Sequence, residues 1–269
     1  MPADTSPKHP IVFVHGLWLH AESWTPWLEF FRRNGYVAVA ASWPGDAATT
    51  EATRRNPGAV AGHGVAEIAQ HIATQLRDLG RKPILIGHSF GGLLVQNLLG
   101  RNLAAAAIAI DPAPIKGVAE LPLSALKAVF PVLANPFNFK RAISLTEPQF
   151  RFGFANAVAA TEARELYERY AMPAPARPLF QAATALFNPR AATRVDVANA
   201  QRGPLLLIAG TSDNTVPPVL VRSTLKRYGA SPAVTELKEF AGRGHSLVID
   251  SSWQELAEYS LHWLQSRSL

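Results

Sequence analysis

A serine between two glycines is the residue of this sequence best suited to nucleophilic chemistry. Ser89 lies in the pattern Gly87-x-Ser89-x-Gly91, between a run that predicts a strand and a run that predicts a helix. Because glycine has no Cβ, a tight strand-to-helix turn can form here and expose the Ser89 hydroxyl. The helix that follows would direct backbone N–H groups and a positive partial charge at a developing oxyanion. The dinucleotide-binding pattern G-x-G-x-x-G and the P-loop pattern are both absent, so the turn predicts a nucleophile rather than a phosphate site.

A serine hydroxyl attacks efficiently only when a base takes its proton, and histidine is the usual base. Of the eight histidines, His245 is the best candidate, because it lies in a glycine-rich loop directly after the last predicted strand. His262 lies in the closing helix, where a surface or core position is more natural than a catalytic one. His15 ends the first strand, where a structural hydrogen bond is the more natural role. His88 lies inside the turn itself, and we expect its ring to point away from Ser89.

The base in turn needs a carboxylate that orients its ring and stabilises the imidazolium. Two aspartates follow predicted strands and could serve. Asp213 lies in a glycine-led, turn-rich loop, which favours it as the third member of a triad. Asp111 also ends a strand, but the adjacent Pro112 fits a simple turn into the next segment equally well.

Short apolar runs alternate with longer helical patterns along most of the chain. Strands are predicted at 11–14, 37–42, 83–86, 105–110, 205–209 and 233–240, and helices at 21–34, 65–79, 93–101, 219–228 and 253–265. This alternation predicts an α/β fold with a doubly wound, mostly parallel sheet. Parallel strands end at one edge of a sheet, so Ser89, Asp213 and His245 would meet there. The polar residues 46–62 predict a loop.

The segment 112–203 has a different character, with no strand pattern and many prolines. It holds 8 of the 13 phenylalanines, although it is only about a third of the chain. Prolines keep helices short, so we expect an apolar helical cap inserted before the penultimate strand. The predicted core then comprises 1–111 and 204–269. A long insertion is usually functional, but a second packing layer with no role in binding would give the same pattern.

The order Ser89, Asp213, His245, with His15-Gly16 after the first strand and an insertion between, resembles the α/β-hydrolase superfamily. Within it, the chain looks most like the capped, esterase-like branch. The resemblance implies an α/β-hydrolase fold and a serine hydrolase that needs neither a metal nor an organic cofactor. Relatives that open epoxides or remove halides carry aspartate at the nucleophile position. This chain has Ser89 there, so we do not expect either of those reactions.

The resemblance also assigns the oxyanion hole. In this family the residue after the His-Gly dipeptide and the residue after the nucleophile donate backbone N–H groups, and these are Leu17 and Phe90 here. Trp18 could take the place of Leu17 if the loop register differs. Trp18 and His88 are also the candidate residues of a substrate pocket.

The function implied is hydrolysis of a carboxylic ester with an apolar or aromatic group through an acyl-enzyme. A carbon–carbon bond hydrolase acting on aromatic ring-cleavage products would use the same triad, and a cofactor-free perhydrolase is a further variant. The insertion contains arginines that could hold the dicarboxylate such a carbon–carbon hydrolase would bind. They are Arg141, Arg151, Arg164, Arg169 and Arg177. A non-catalytic small-molecule receptor is the alternative from a different class.

The amino-acid composition argues against several other classes of protein. The chain has 269 residues, 48% hydrophobic and 17% charged, which predicts a globular protein with a large core. Without cysteine it can form neither disulfides nor thiolate metal sites. Its net charge of +6 is scattered, so we expect no nucleic-acid partner. The function that the resemblance implies makes a small-molecule ester the expected partner. The opening residues do not resemble a secretory signal, and the longest apolar run, 103–110, is far shorter than the roughly 18 residues of a membrane span. These features predict a cytoplasmic protein without stable membrane insertion.

Overall fold

A six-stranded parallel sheet organises the molecule, whose computed structural model describes residues 8–269. Its strand order is β2-β1-β3-β4-β7-β8, and every neighbouring pair runs parallel. A separate antiparallel pair is formed by β5 and β6. The strands, numbered in chain order, are β1 (Ile11–Val14), β2 (Ala38–Ala41), β3 (Ile84–His88), β4 (Ala106–Ile110), β5 (Ala142–Ile143), β6 (Ala174–Pro175), β7 (Leu205–Gly210) and β8 (Thr235–Phe240).

Helices connect the strands of the sheet. In chain order they are α1 (Thr25–Arg33), α2 (Thr50–Arg55), α3 (Val65–Leu76), α4 (Phe90–Gly100), α5 (Leu123–Leu133), α6 (Glu147–Gly153), α7 (Ala160–Tyr170), α8 (Arg177–Ala183), α9 (Pro218–Arg227) and α10 (Trp253–Gln265). Short 3₁₀ turns occupy Ala21–Trp24, Arg77–Leu79, Pro136–Lys140, Ala185–Phe187 and Tyr228–Ala230. This parallel α/β architecture confirms the predicted fold, including the mainly helical segment before the penultimate strand.

The central strands are apolar along their whole length because both faces of the sheet are covered. Every residue of β1, β3, β4 and β7 is buried, as a parallel sheet with covered faces requires. The edge strands β2 and β8 are only partly buried, and β8 accordingly carries Glu and Lys side chains. Helix α4 is buried almost all round because it begins directly behind the centre of the sheet.

Two local expectations were wrong. Residues 46–62 are not all loop, since they contain α2, whose first turn is capped by the Thr49 hydroxyl accepting from the Ala52 N–H at 3.1 Å. Tertiary contacts support this polar helix, because Arg54 donates to the carbonyl oxygens of Glu168 and Ala171. The segment 112–203, hereafter the insertion, does contain strands, but β5 and β6 have two residues each and are too short to leave a sequence pattern.

The candidate residues follow successive strands at one edge of the sheet. Ser89 follows β3, Asp111 follows β4, and Asp213 and His245 lie in the loops after β7 and β8. The insertion leaves the sheet at this same edge, between β4 and β7. Within residues 8–269, helices long and apolar enough to cross a membrane are absent.

Candidate functional site

Ser89 sits in a strained backbone conformation between β3 and α4. Its φ is 55° and its ψ is −121°, a region that residues other than glycine occupy at an energetic cost. The flanking glycines make the turn possible. A Cβ on Gly87 would lie 2.3 Å from the carbonyl oxygen of Gly91, and a Cβ on Gly91 would lie 2.1 Å from that of Val14. The turn is therefore as tight as the glycine spacing predicts.

The loop after β1 lies directly against Ser89. A Cβ on Gly16 would be 2.7 Å from the Cβ of Ser89 and 3.3 Å from its Oγ, so this glycine keeps space open beside the hydroxyl. Leu17 follows Gly16, and Phe90 is the first residue of α4, where the helix itself leaves the N–H unbonded. The hydrogen bonds found in residues 8–269 include none donated by either amide. Both N–H groups are thus available beside the hydroxyl.

His245 and Asp213 form a buried pair. The His245 Nδ1 lies 2.5 Å from the Asp213 Oδ2, and both side chains are fully buried. The other oxygen of Asp213 accepts the backbone N–H groups of Thr215 at 2.6 Å and Val216 at 2.8 Å. These bonds fix the carboxylate before any ligand arrives. The His245 Nε2 is buried and makes no hydrogen bond within the described part of the chain, with Ser89 or any other residue.

Asp111 lies beside this pair, although the sequence offered it only as a rival to Asp213. Its side chain is fully buried, its φ is +40°, and its Oδ1 accepts the Gly210 N–H at 2.8 Å. Asp111, Asp213 and His245 each place one side-chain oxygen or nitrogen within 4.8 Å of the other two. These three atoms could also bind a cation. Burial, together with the Asp213 carboxylate, raises the pKa of Asp111 well above its ordinary value. A neutral Asp111 can share its proton with Asp213.

Aromatic rings enclose His245. The ring of His88, the residue before Ser89, lies 4.5 Å from that of His245, and Phe154 of the insertion packs edge-on at 4.7 Å. Trp18 contacts Phe154 in turn, with ring centroids 6.0 Å apart. Burial and the nearby His245 lower the pKa of His88 well below its ordinary value, which keeps this ring neutral. Both candidate pocket residues therefore belong to the aromatic wall around His245.

Trp18 also ties the loop after β1 to the insertion. Its φ is +63°, its Nε1 donates to the Ile143 carbonyl at 3.0 Å, and its own carbonyl accepts the Met172 N–H at 3.0 Å. The cavity of about 10 Å³ beside this loop is lined by neither Ser89 nor His245, and Ser89 is only 5% exposed. The serine is therefore largely covered in this structure.

A second buried histidine–carboxylate pair supports the same loop. His15 Nε2 lies 3.1 Å from the Asp46 Oδ2, and His15 Nδ1 lies 2.9 Å from the Gly16 carbonyl oxygen. Asp46 also accepts the Trp43 N–H at 2.8 Å. Burial opposes ionisation of Asp46, but the hydrogen bond from His15 and its charge outweigh it and lower the Asp46 pKa. Sequence reasoning anticipated a structural role for His15 but missed Asp46, because nothing in a polar loop marks one aspartate as a partner.

The comparison with family models agrees with this geometry. A model described as "Alpha/beta hydrolase family" matches residues 11–259, almost the whole chain. The chain belongs to the alpha/beta hydrolase family. A search of curated proteins finds no match to this hydrolase.

Solved structures resemble this alpha/beta hydrolase over nearly its full length, at identities low enough to show the fold alone. The monoacylglycerol lipase of Paleococcus ferrophilus is 23% identical with a TM-score of 0.64, covering 96% of both chains. An extracellular alpha/beta-hydrolase from a Paenibacillus species is 21% identical with a TM-score of 0.69, covering 95% of this chain and 98% of its own. A methylesterase from Arabidopsis is 18% identical with a TM-score of 0.65, covering 96% and 99%.

Proposed function

We propose that this hydrolase cleaves carboxylic esters through an acyl-enzyme, with Ser89 as nucleophile, His245 as base and Asp213 as the orienting carboxylate. The observation that carries the proposal is the fully buried His245–Asp213 pair, in which the His245 Nε2 is free. The His245 ring lies 4.5 Å from that of His88, the residue before the strained Ser89. Solved relatives named as a lipase and a methylesterase support the same reaction type.

In the first half of the reaction, the Ser89 Oγ attacks the ester carbonyl carbon while His245 Nε2 accepts the hydroxyl proton. The N–H groups of Leu17 and Phe90 stabilise the negative charge on the carbonyl oxygen. Asp213 holds the Nδ1 proton of His245 and stabilises the imidazolium. His245 then protonates the leaving alcohol, and the acyl group remains on Ser89 as an ester.

In the second half, His245 takes a proton from a water molecule, and the resulting hydroxide attacks the acyl carbon. The second tetrahedral intermediate collapses, the acid leaves, and the proton returns to the Ser89 Oγ. Because His245 Nε2 makes no hydrogen bond to Ser89 in this structure, the two side chains must approach each other when substrate binds. Such contacts are often loose in an unliganded enzyme.

The substrate class follows from the residues around His245. Trp18 and Phe154 offer an apolar aromatic surface beside the neutral ring of His88, so an apolar or aromatic acyl or alkyl group would gain from burial there. We further propose that the insertion acts as a cap over the core formed by 1–111 and 204–269. Its residue Phe154 contacts His245 directly, which supports this division.

The carbon–carbon bond hydrolase is less well supported. Of the five insertion arginines considered for this role, four are exposed to solvent, and Arg177 bonds to Glu67 and to the Gly62 carbonyl. Side chains exposed to solvent do not line the buried surroundings of His245, and Arg177 already has partners, so these residues do not favour a dicarboxylate substrate.

The decisive experiment measures hydrolysis of a p-nitrophenyl ester series from acetate to laurate, together with labelling by a fluorophosphonate. The Ser89→Ala variant should lose at least about 10³-fold in kcat and all labelling, because the nucleophile is gone. Ser144→Ala, at an exposed serine of the insertion, is the matched control and should behave as the unaltered protein.

Equal activity of the two variants would remove Ser89 from the mechanism. If the unaltered protein hydrolyses none of the esters, the ester-hydrolysis proposal is rejected. Vinylogous diketones would then test carbon–carbon cleavage. Ligand binding without turnover would favour the receptor. The chain length with the highest kcat/KM reports the size of the acyl site.

A further inference from the structure

The outer surface of the insertion is unusually apolar. Among the described residues, 12 large hydrophobic side chains are exposed, and 8 of these lie between residues 121 and 187. They are Leu121, Leu123, Leu126, Phe130, Phe137, Phe139, Leu186 and Phe187. Phe137 and Phe187 are 82% and 89% exposed, so these rings are almost wholly in water. Scattered exposed hydrophobics are normal, but such a concentration marks a binding surface.

These side chains belong to elements that pack against one another. Leu123, Leu126 and Phe130 recur at helical spacing on one side of α5, while Val132 of the same helix is buried. Helix α5 packs on α8 and on the 136–140 turn, and α8 packs on the 185–187 turn. We call the exposed apolar side chains of these packed elements the outer face of the insertion.

A groove in this face is lined mostly by apolar side chains, with Lys127 and Gln149 as its polar members. It has a volume of about 600 Å³ and lies between α5 and α6. Its walls include Leu126, Phe130 and Pro131 of α5 with Pro148 and Phe152 of α6. An open apolar groove of this size offers a place for a hydrocarbon chain.

The charge around the outer face is mainly positive. Residues 121–143 and 169–195 contain seven Lys or Arg and no Asp or Glu, although the whole chain has 20 acidic residues. Lys127, Lys140 and Arg190 are exposed there, while Glu120 and Glu147 lie at the margins. A second copy of the chain docked through this face would bring mostly positive charge against positive charge. A surface of anionic lipids would complement it.

We propose that the outer face of the insertion binds reversibly to anionic lipid surfaces. Leu123, Phe130, Phe137 and Phe187 enter the region between headgroups and acyl chains, and the surrounding basic residues contact lipid phosphates. This mode needs no membrane-spanning helix, because burial of apolar side chains and attraction between charges act together at the interface. It does not depend on the proposed catalytic function.

The test is co-sedimentation of the whole protein with vesicles. We expect binding to equimolar phosphatidylcholine and phosphatidylglycerol that weakens at least about tenfold on phosphatidylcholine alone or at high salt. The triple variant Phe130→Ser, Phe137→Ser, Phe187→Ser should bind at least about tenfold more weakly, since its apolar contacts are lost. Lys140→Glu with Arg190→Glu should weaken binding to the anionic vesicles by at least about tenfold.

A matched triple variant controls for loss of exposed apolar side chains in general. Val37→Ser, Val219→Ser and Val234→Ser change exposed valines outside the insertion and should bind as the unaltered protein does. Sedimentation velocity, run alongside, measures self-association, and far-UV circular dichroism with urea unfolding checks that each variant is folded. Vesicle binding is measured without turnover. Its result can therefore be interpreted even if the ester-hydrolysis proposal fails.

Three outcomes would overturn the proposal. The first is no binding to anionic vesicles, and the second is equal binding by the phenylalanine and valine triple variants. The third is a dimer that the phenylalanine substitutions dissociate in the absence of vesicle binding, which would assign the face to a second copy of the chain. A loss of anionic-vesicle binding that is confined to the phenylalanine and charge variants would support it.

Discussion

Replacement of Asp111 by asparagine should remove a pH-dependent penalty on folding while leaving the His245–Asp213 pair intact. An asparagine amide fits the same space, so its oxygen can accept the Gly210 N–H and its NH₂ can donate to Asp213. In its protonated form the Asp111 carboxyl can make the same pattern of bonds, because its Oδ2 has no other hydrogen-bond partner among residues 8–269. Activity of Asp111→Asn should therefore remain within about tenfold of the unaltered enzyme.

The size of the penalty follows from proton linkage. Burial and the Asp213 carboxylate raise the pKa of Asp111 in the folded state, so the folded protein keeps a proton that the unfolded chain releases. Stability is then highest below the ordinary carboxyl pKa and falls as pH rises toward the raised value. The slope for one proton is about 1.4 kcal/mol per pH unit inside that window. Asparagine has no such proton, so the advantage of the variant should grow by this amount with each pH unit.

Urea unfolding at a series of pH values measures this difference directly. Asp78→Asn, which changes an exposed carboxyl, is the control and should keep the slope of the unaltered protein. Asp213→Asn should lower kcat by about 10³-fold or more, because it breaks the bond that orients His245. Parallel slopes for Asp111→Asn and the unaltered protein would refute a shared proton. Loss of activity in Asp111→Asn with retention in Asp213→Asn would show that the two aspartates have the opposite roles.

Two further substitutions test the turn and the loop that faces it. Gly91→Ala places a Cβ 2.1 Å from a backbone oxygen of β1 and should destabilise the protein by about 3 kcal/mol or more in urea unfolding. Gly229→Ala is the control, because the added atom meets nothing within 4 Å. It should change the free energy of unfolding by less than about 0.5 kcal/mol. Asp46→Asn removes the charge from the buried bond to His15 and should cost about 1.5–3 kcal/mol by the same measurement, so an unchanged unfolding midpoint would show that this pair contributes nothing.

The parts of the fold that the sequence predicts are those with a local signature. Buried parallel strands are continuous apolar runs, and the spacing of Gly87, Ser89 and Gly91 reflects a turn in which a Cβ would meet backbone atoms. These features are visible in a few consecutive residues. For that reason the sheet and the serine turn could be anticipated without knowledge of any contact distant in the chain.

What escaped prediction depends on residues far apart in the chain. Helix α2 has no apolar period, and its Arg54 bonds to carbonyls of the insertion 114 and 117 residues away. The partnership of His15 with Asp46 and the approach of Asp111 to Asp213 likewise arise only when neighbouring strands align. Sequence could name Asp111 and Asp213 as alternatives, but only the packed sheet brings both to one histidine.

The two hydrogen bonds that join Trp18 to the insertion have a consequence for the fate of the acyl-enzyme. Trp18 follows Leu17, so an outward movement of the insertion at Ile143 and Met172 would pull on the backbone that holds the oxyanion in the proposed mechanism. In that mechanism, opening of the insertion would disturb the oxyanion hole. While the insertion is open, bulky alcohols could reach an acyl group on Ser89, but the displaced oxyanion hole could not support its transfer to them. While the insertion is closed, the oxyanion hole is assembled and the acyl group would meet water. This coupling should bias the enzyme toward hydrolysis over transesterification.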